Sequence, residues 1–209
     1  MKLYQFPLSP NCQKVRALAY EVGLPLQTIT LNVFKGESRT PEILAKNPNG
    51  KIPILEDADF VLWESNAMLV YLATKAGRMD LAPTAPRERA DVDRWLAWHN
   101  AHFGSAVAKV AFERIVKKLG NLGAPDELQV KKGIDEFAAA ARVLDACLAD
   151  REYLCGSLTI ADFALTTYAA IAGECGLSLD SYPNAATWRA RMIARPSVRR
   201  VLAEARAAA

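Results

Sequence analysis

Nitrogen and sulfur ligands for metals are scarce in this 209-residue sequence, which has two histidines and four cysteines. Cys12, Cys147, Cys155 and Cys175 form neither a paired metal-ligand pattern nor a dense disulfide framework. His99 and His102 stand three residues apart without further ligands beside them, so no metal site is expected. An excess of one charge is also missing. The 26 basic and 23 acidic residues leave a net charge of +3, and the basic ones are scattered. A nucleic-acid binder would gather them into a stripe, so that class is excluded. No window approaches the roughly 18 consecutive apolar residues that a membrane span requires. The N-terminus runs directly into strand-like Leu3-Tyr4-Gln5-Phe6, with no charged, apolar and cleavable leader. Reduced thiols in a cytoplasm are the expected setting.

What the chain does have is apolar material. With 51% hydrophobic and 23% charged residues, it can build the cores of one large or two small globular domains. The pattern changes once, between Ala76 and Pro86, where Gly77, Pro83 and Pro86 interrupt a polar stretch that reads as a linker. The expected domains are residues 1–78 and 86–209.

In the first half, strand-like runs alternate with helical periodicity. A strand over Lys2 to Phe6 precedes a helix with Val15, Leu18, Ala19 and Val22 on one face, stopped by Gly23 and Pro25. Leu26 to Leu31 follows as a strand, and its connection through a helix implies parallel pairing. Pro41 to Lys46 suits a short helix. Ile52 to Leu55, Glu56 to Asp59 and Phe60 to Trp63 read as strand, turn and strand, and Ser65 to Ala73 as a closing helix.

Beyond the linker the periodicity is helical throughout. Val92, Trp95, Leu96, His99, Phe103, Val107 and Val110 form one stripe. Val130, Ile134, Phe137, Ala138, Ala141, Leu144 and Leu148 form a second. Ile160, Phe163, Ala164, Thr167, Tyr168 and Ile171 form a third, led by Thr159 and Asp162 at capping-box spacing. Two shorter helices are expected around Ala185 to Ile193 and Pro196 to Ala205.

Three ordered segments carry a family resemblance: Ser9-Pro10-Asn11-Cys12-Gln13-Lys14-Val15-Arg16, Asn47-Pro48-Asn49-Gly50-Lys51-Ile52-Pro53 and Glu64-Ser65-Asn66-Ala67. With Gly156 and the Thr159/Asp162 box, the chain resembles the cytosolic glutathione transferase family, in its bacterial and theta-like branches, over essentially its whole length. The resemblance implies a thioredoxin-like α+β glutathione-binding domain followed by an all-α helical-bundle domain. It also implies glutathione as cosubstrate, an electrophile site shaped by the helical half, a homodimer and a role in detoxification.

Residue by residue, the physical chemistry agrees with those implications. Ser9 lies between the first strand and the first helix, where helix amides and a partial positive charge favour anions. A hydroxyl there can donate to the glutathione sulfur and lower its pKa, and the family gives the matching serine or threonine that role. The alternative is a plain helix cap worth about 1 kcal/mol. Asn11 is a candidate donor to the same sulfur. Ser-Pro-x-Cys looks like the thioredoxin Cys-Pro-x-Cys motif with its first sulfur replaced, so Cys12 is either a site of mixed disulfide with glutathione or a buried small hydrophobe.

The resemblance implies a cis bond before Pro53, with the Ile52 backbone pairing with the cysteinyl part of the tripeptide like an added strand. Lys51 is expected to face a glutathione carboxylate. At Glu64-Ser65, the serine is expected to cap the next helix and receive the γ-glutamyl α-carboxylate, while Glu64 faces the ligand's ammonium. Related theta-like sequences often place histidine near Ser38, so Arg39 or Lys35 is a candidate substitute at the outer edge of the site. In the helical half, His99 shares the apolar stripe, whereas His102 falls on another face with Trp98 and Lys109.

Conjugation is therefore the expected activity, with the thiolate attacking a hydrophobic electrophile. Two alternatives stand beside it: glutathione-dependent reduction of disulfides or hydroperoxides, and a non-catalytic binding module of the same fold.

Overall fold

A computed structural model describes residues 1–208, and they divide into two compact units. The first comprises residues 1–82 together with the C-terminal segment from Arg195, and the second spans Pro83–Ala194.

The first unit is built on β1 (Lys2–Gln5), α1 (Pro10–Glu21), β2 (Gln27–Thr30), α2 (Pro41–Lys46), β3 (Ile54–Asp57), β4 (Phe60–Leu62) and α3 (Ser65–Lys75). The sheet order is β2-β1-β3-β4. β1 and β2 are parallel, with Tyr4 opposite Ile29, while β3 runs antiparallel to β1 with Tyr4 opposite Ile54. A right-handed crossover through α1 is the connection such a parallel pair demands. The expected element order is thus present, with β3 displaced along the chain and β1, β2 and β4 shorter at their ends than expected. β3 begins at Ile54 rather than Ile52 and continues through Asp57, which faces Phe60 across a two-residue turn. Pro53 has no N–H to give a ladder, so regular pairing starts only after it.

α1 is buried almost all round, including Gln13, Lys14 and Arg16. One-face periodicity misses this because a second cover comes from far along the chain. α10 (Pro196–Ala207) packs on α1, where the Arg16 guanidinium pairs with Glu204 and the Tyr20 hydroxyl reaches the same carboxylate at 3.2 Å. At the other end of that contact, Glu21 accepts from Arg195 and, at 2.6 Å, from Ser197 Oγ.

The second unit is all-helical. α4 (Pro86–Trp98), α5 (Gly104–Ala111) and α6 (Lys117–Gly120) are joined by π-helical segments His99–Phe103 and Phe112–Val116. The remaining α-helices are α7 (Glu127–Cys147), α8 (Ile160–Ile171) and α9 (Pro183–Ala194). Every residue of the first expected stripe, from Val92 to Val110, is buried. On α7 the stripe is corrected. Ile134 is 36% exposed, and Gly133 faces inward instead. A Cβ at Gly133 would lie 2.6 Å from Val110 Cγ2, so the bare glycine sets the close approach of α7 to α5.

α8 is buried on all sides from Ile160 to Ala169, more than the single expected stripe, because a helix this apolar around its circumference is covered all round. Its start is fixed by the capping box: Thr159 N donates to Asp162 Oδ2 at 2.9 Å, and Thr159 Oγ1 accepts from Ala161 N. Asp162 does more than the box requires. Its Oδ1 also accepts from Leu154 N at 3.1 Å and from Trp188 Nε1 at 2.9 Å, so one carboxylate joins α8 to the preceding loop and to α9.

Candidate functional site

Four segments of the first unit supply the candidate site residues: the β1–α1 turn, the loop 47–53, the start of α3, and the short turn around Ser38. Each is held by bonds that can be traced to its sequence.

At the β1–α1 turn, Ser9 occupies the N-cap position with φ −73° and ψ 121°. Its carbonyl accepts from Cys12 N at 3.0 Å and Gln13 N at 2.9 Å, and Pro10 fills the first helical position, where no N–H is needed. Yet the Ser9 side chain makes no capping bond. The hydroxyl is half-buried and contacts the Cys12 thiol instead, so it is not consumed by the helix end. Cys12 itself is fully buried. Burial pushes its thiol up to about 11, against the opposing effects of the Phe6 backbone and the Ser9 hydroxyl, so near neutral pH it remains a thiol.

Asn11 lies one residue into α1 and is half-buried. Its Oδ1 accepts from Ser65 Oγ at 3.2 Å, which orients the amide so that Nδ2 is left as a donor. One turn further on, Lys14 Nζ donates to Asn66 Oδ1 at 2.7 Å. Burial pushes the Lys14 ammonium down to about 7, opposed by the attraction of Glu64.

The start of α3 differs from the sequence expectation in one respect. Ser65 does not cap the helix. Glu64 holds the N-cap position, with φ 71° and ψ 104°, and Ser65 is the first helical residue, its hydroxyl turned to Asn11. A glutamate in the left-handed region is a strained conformation costing on the order of 1 kcal/mol, and such strain concentrates where a side chain must be aimed. Here it presents an exposed carboxylate beside a helix N-terminus whose first residue, Ser65, is buried. Amides and the helix dipole at that terminus favour a carboxylate, while the Glu64 side chain favours a cation. An amino-acid zwitterion carries both.

The loop 47–53 is pinned by Asn47, which is buried. Its Nδ2 donates to the Lys51 carbonyl at 2.7 Å, and its Oδ1 accepts from Asn49 N at 3.1 Å. Gly50 turns with φ 62° and packs against Arg39, whose Cγ would be 3.2 Å from a Cβ added there. The Ile52–Pro53 bond is cis. Lys51 is exposed, and half-buried Ile52 precedes β3, outside the ladder register. Ser38 is buried in a one-turn helix of its own, and Arg39, the residue after it, packs on Gly50 of this loop.

In the second unit, His99 is buried against the edge of Tyr168, with ring centroids 4.7 Å apart. His102 lines a groove of about 430 Å³ with Trp98, Ser105, Lys109 and Val143, and Lys109 is paired with Glu136 at 2.5 Å. Among the described residues, no group of three or more His, Cys, Asp and Glu side chains is placed to hold a metal ion.

Ser9, Asn11, Cys12, Glu64 and Ser65 are thus connected through the adjoining ends of α1 and α3, and Lys51, Ile52 and Pro53 share the loop that leads into β3. Asn47, Lys14 and Asn66 were not singled out from the sequence. Asn47 carried one signal, an Asn-Pro-Asn-Gly run that promises side-chain-to-backbone turns. Lys14 carried none, since a lysine in a helix ordinarily reads as solvated.

Comparison with known proteins covers both units. A family model described as the N-terminal domain of glutathione S-transferase matches residues 3–82, and one described as the C-terminal domain matches residues 101–196. The chain is 31% identical over 204 residues to the probable glutathione S-transferase GSTF2 of Oryza sativa subsp. japonica, covering 96% of this chain and 95% of the relative. It is also 31% identical over 201 residues to glutathione S-transferase GstB of Escherichia coli K12, covering 93% of each. Among solved structures, it resembles the glutathione transferase URE2P6 of Phanerochaete chrysosporium in complex with oxidized glutathione. That match has a TM-score of 0.89 at 28% identity, covering 100% of this chain and 97% of that one.

Proposed function

Because the chain belongs to the glutathione S-transferase family, we propose that it binds glutathione in its first unit and joins the intact tripeptide, through its sulfur, to a hydrophobic electrophile. The observation that carries this reading is the Ser9 hydroxyl, which stands at a helix N-terminus without being spent on capping it. Glu64 receives the ligand's ammonium, the α3 terminus at Ser65 receives the γ-glutamyl carboxylate, the Ile52 backbone pairs with the cysteinyl part, and Lys51 faces a carboxylate of the tripeptide. In this reading the sulfur lies at the β1–α1 turn. Ser9 then donates its hydroxyl hydrogen to the thiolate and Asn11 Nδ2 adds a second donor, so the ionised form gains at least one hydrogen bond that the thiol lacks.

No general base is required. The thiol loses its proton to solvent on binding, the sulfur lone pair forms the new S–C bond, and the leaving group departs with its bonding electrons. Conjugation so written fits detoxification of reactive electrophiles in a cytoplasm. A homodimer is part of the same proposal, and sedimentation of the purified protein would reveal a monomer if that part fails.

Cys12 is a neighbour of Ser9 in this scheme. Its burial and its thiol state at neutral pH favour packing beneath the site over exchange with glutathione. The disulfide-reductase alternative draws on one observation, a relative bound to oxidized glutathione. Calorimetry with glutathione, followed by turnover of a chloronitroarene and of a glutathione mixed disulfide, tests both. Conjugation faster than disulfide turnover supports the transferase, the reverse ratio supports the reductase, and no binding at millimolar glutathione removes both.

A further inference from the structure

A lysine with no exposed surface is expensive, because a desolvated ammonium loses far more than a desolvated methylene gains. Lys14 is in that position, three residues from Asn11 on the same face of α1. The pair of bonds Asn11–Ser65 and Lys14–Asn66 therefore joins consecutive positions on one face of α1 to consecutive residues of α3. What those bonds hold is the first turn of α3, including the strained backbone of Glu64.

We propose that Lys14 is a positioning residue for the glutathione site: its buried ammonium, bonded to Asn66 Oδ1 and attracted by Glu64, fixes the α3 terminus that receives the γ-glutamyl group. The inference rests on the reading above that glutathione binds at Glu64 and Ser65. Lys14 does not touch the sulfur and takes no part in the bond change.

The charged and titratable groups around Lys14 give the arrangement a pH dependence. On α1 itself they are Cys12, which is a neutral thiol, and Arg16, which is turned to Glu204 of α10. From α3 the group is Glu64, while Lys75, at its far end, is paired with Asp57. Glu204 of α10 is engaged by Arg16 and Arg200, and the carboxylate that attracts Lys14 is that of Glu64. Lys14 titrates near 7 in the free protein because burial outweighs Glu64. The arriving γ-glutamyl group brings a carboxylate to the α3 terminus that Lys14 holds and an ammonium to solvent-exposed Glu64; the exposed ammonium is screened by water, so on balance the carboxylate prevails and binding raises the proton affinity of Lys14. Linkage then fixes the sign: affinity is greatest below about pH 7 and falls as pH rises towards the ammonium's pKa in the complex.

The probe is S-methylglutathione, whose blocked sulfur removes thiol ionisation from the measurement. By calorimetry, wild type is expected to lose about threefold in affinity from pH 6 to pH 8. Lys14→Met is expected to bind about tenfold more weakly at pH 6, with no slope over the same range. Asn66→Ala should weaken binding at least about threefold, and the double variant should be no worse than the weaker single variant, because both remove one interaction. The maximal conjugation rate at saturating glutathione should stay within about threefold in each variant, since a loss confined to binding raises KM and spares kcat. Lys14→Met with wild-type affinity and wild-type slope overturns the inference while leaving the glutathione reading intact. If Lys14→Met does not fold by circular dichroism, Asn66→Ala decides, and wild-type affinity there overturns it equally. Failure of wild type to bind at millimolar ligand overturns the glutathione reading and this inference with it.

Discussion

The Ser65 hydroxyl donates to Asn11 Oδ1 across 3.2 Å, joining the first turns of α3 and α1 although the two residues are 54 positions apart in the chain. That one bond orients an amide whose other end is then available to a sulfur at the β1–α1 turn. Asn11→Ala removes the orienting acceptor and the donor together. Conjugation of a chloronitroarene is expected to fall about tenfold in kcat, less than the roughly hundredfold or more that losing a sole oxyanion donor costs, because Ser9 still donates to the sulfur. KM for glutathione should rise less than kcat falls. A change confined to KM would place Asn11 in binding alone.

Cys12 is expected to be silent towards alkylation. Its buried side chain and a thiol pushed up to about 11 leave little thiolate to react near neutral pH. Iodoacetamide at pH 7.5, followed by peptide mass mapping, should leave Cys12 unmodified in the native protein and label it once the protein is unfolded. Fast modification in the native state, or a stable mixed disulfide between Cys12 and glutathione, would favour the reductase alternative.

Asp162 accepts from Thr159 N, Leu154 N and Trp188 Nε1, all in one buried cluster. Asp162→Ala leaves these buried donors without their acceptor and should cost about 3 kcal/mol or more in chemical denaturation. Trp188→Phe keeps most of the ring volume and loses a single donor to the carboxylate, so about 1–2 kcal/mol is expected. If Asp162→Ala were as stable as wild type, the cluster would not be what holds α8 and α9 together.

Glu56 gives a pH signature on the face of the sheet. The Lys46 ammonium, then that of Lys2, hold its carboxyl down at about 2, with burial opposing and Tyr4 assisting. A carboxyl depressed in the folded state contributes stability above its unfolded value of about 4.3 and loses it as pH falls towards the folded one. Glu56→Gln should therefore be less stable than wild type at neutral pH, and the two should converge between pH 4.5 and pH 2 in acid titrations followed by circular dichroism. Parallel curves over that range would show that Glu56 has no such linkage.

Much of this fold was legible because it is written in local patterns. The Thr159-x-x-Asp162 spacing announced the start of α8, and the stripe from Val92 to Val110 announced the buried face of the long helical rod. Pro53 after the Asn-Pro-Asn-Gly run marked the loop that carries the cis bond. What stayed hidden depends on contacts between distant residues. The burial of Arg16 follows from α10, 188 positions away in sequence, where Glu204 reaches it, and the buried Lys14 turns instead to Asn66 of α3, 52 positions away. The inward turn of Gly133, in place of Ile134, follows from the approach of Val110 and Ala106, which no periodicity on α7 records. In the same way the Ser65 hydroxyl reads as a helix cap until Glu64 is seen to hold that position and Asn11 to lie within its reach.

The most direct measurement is the ionisation of glutathione's thiol in the complex, followed by thiolate absorbance near ~240 nm, for wild type and Ser9→Ala. With wild type the bound thiol is expected to titrate at about 7, against about 8.5 or above when free. In Ser9→Ala it should return to the free value while glutathione affinity stays within a few-fold. Identical titrations in the two proteins would contradict the assignment of Ser9 as the group that holds the thiolate.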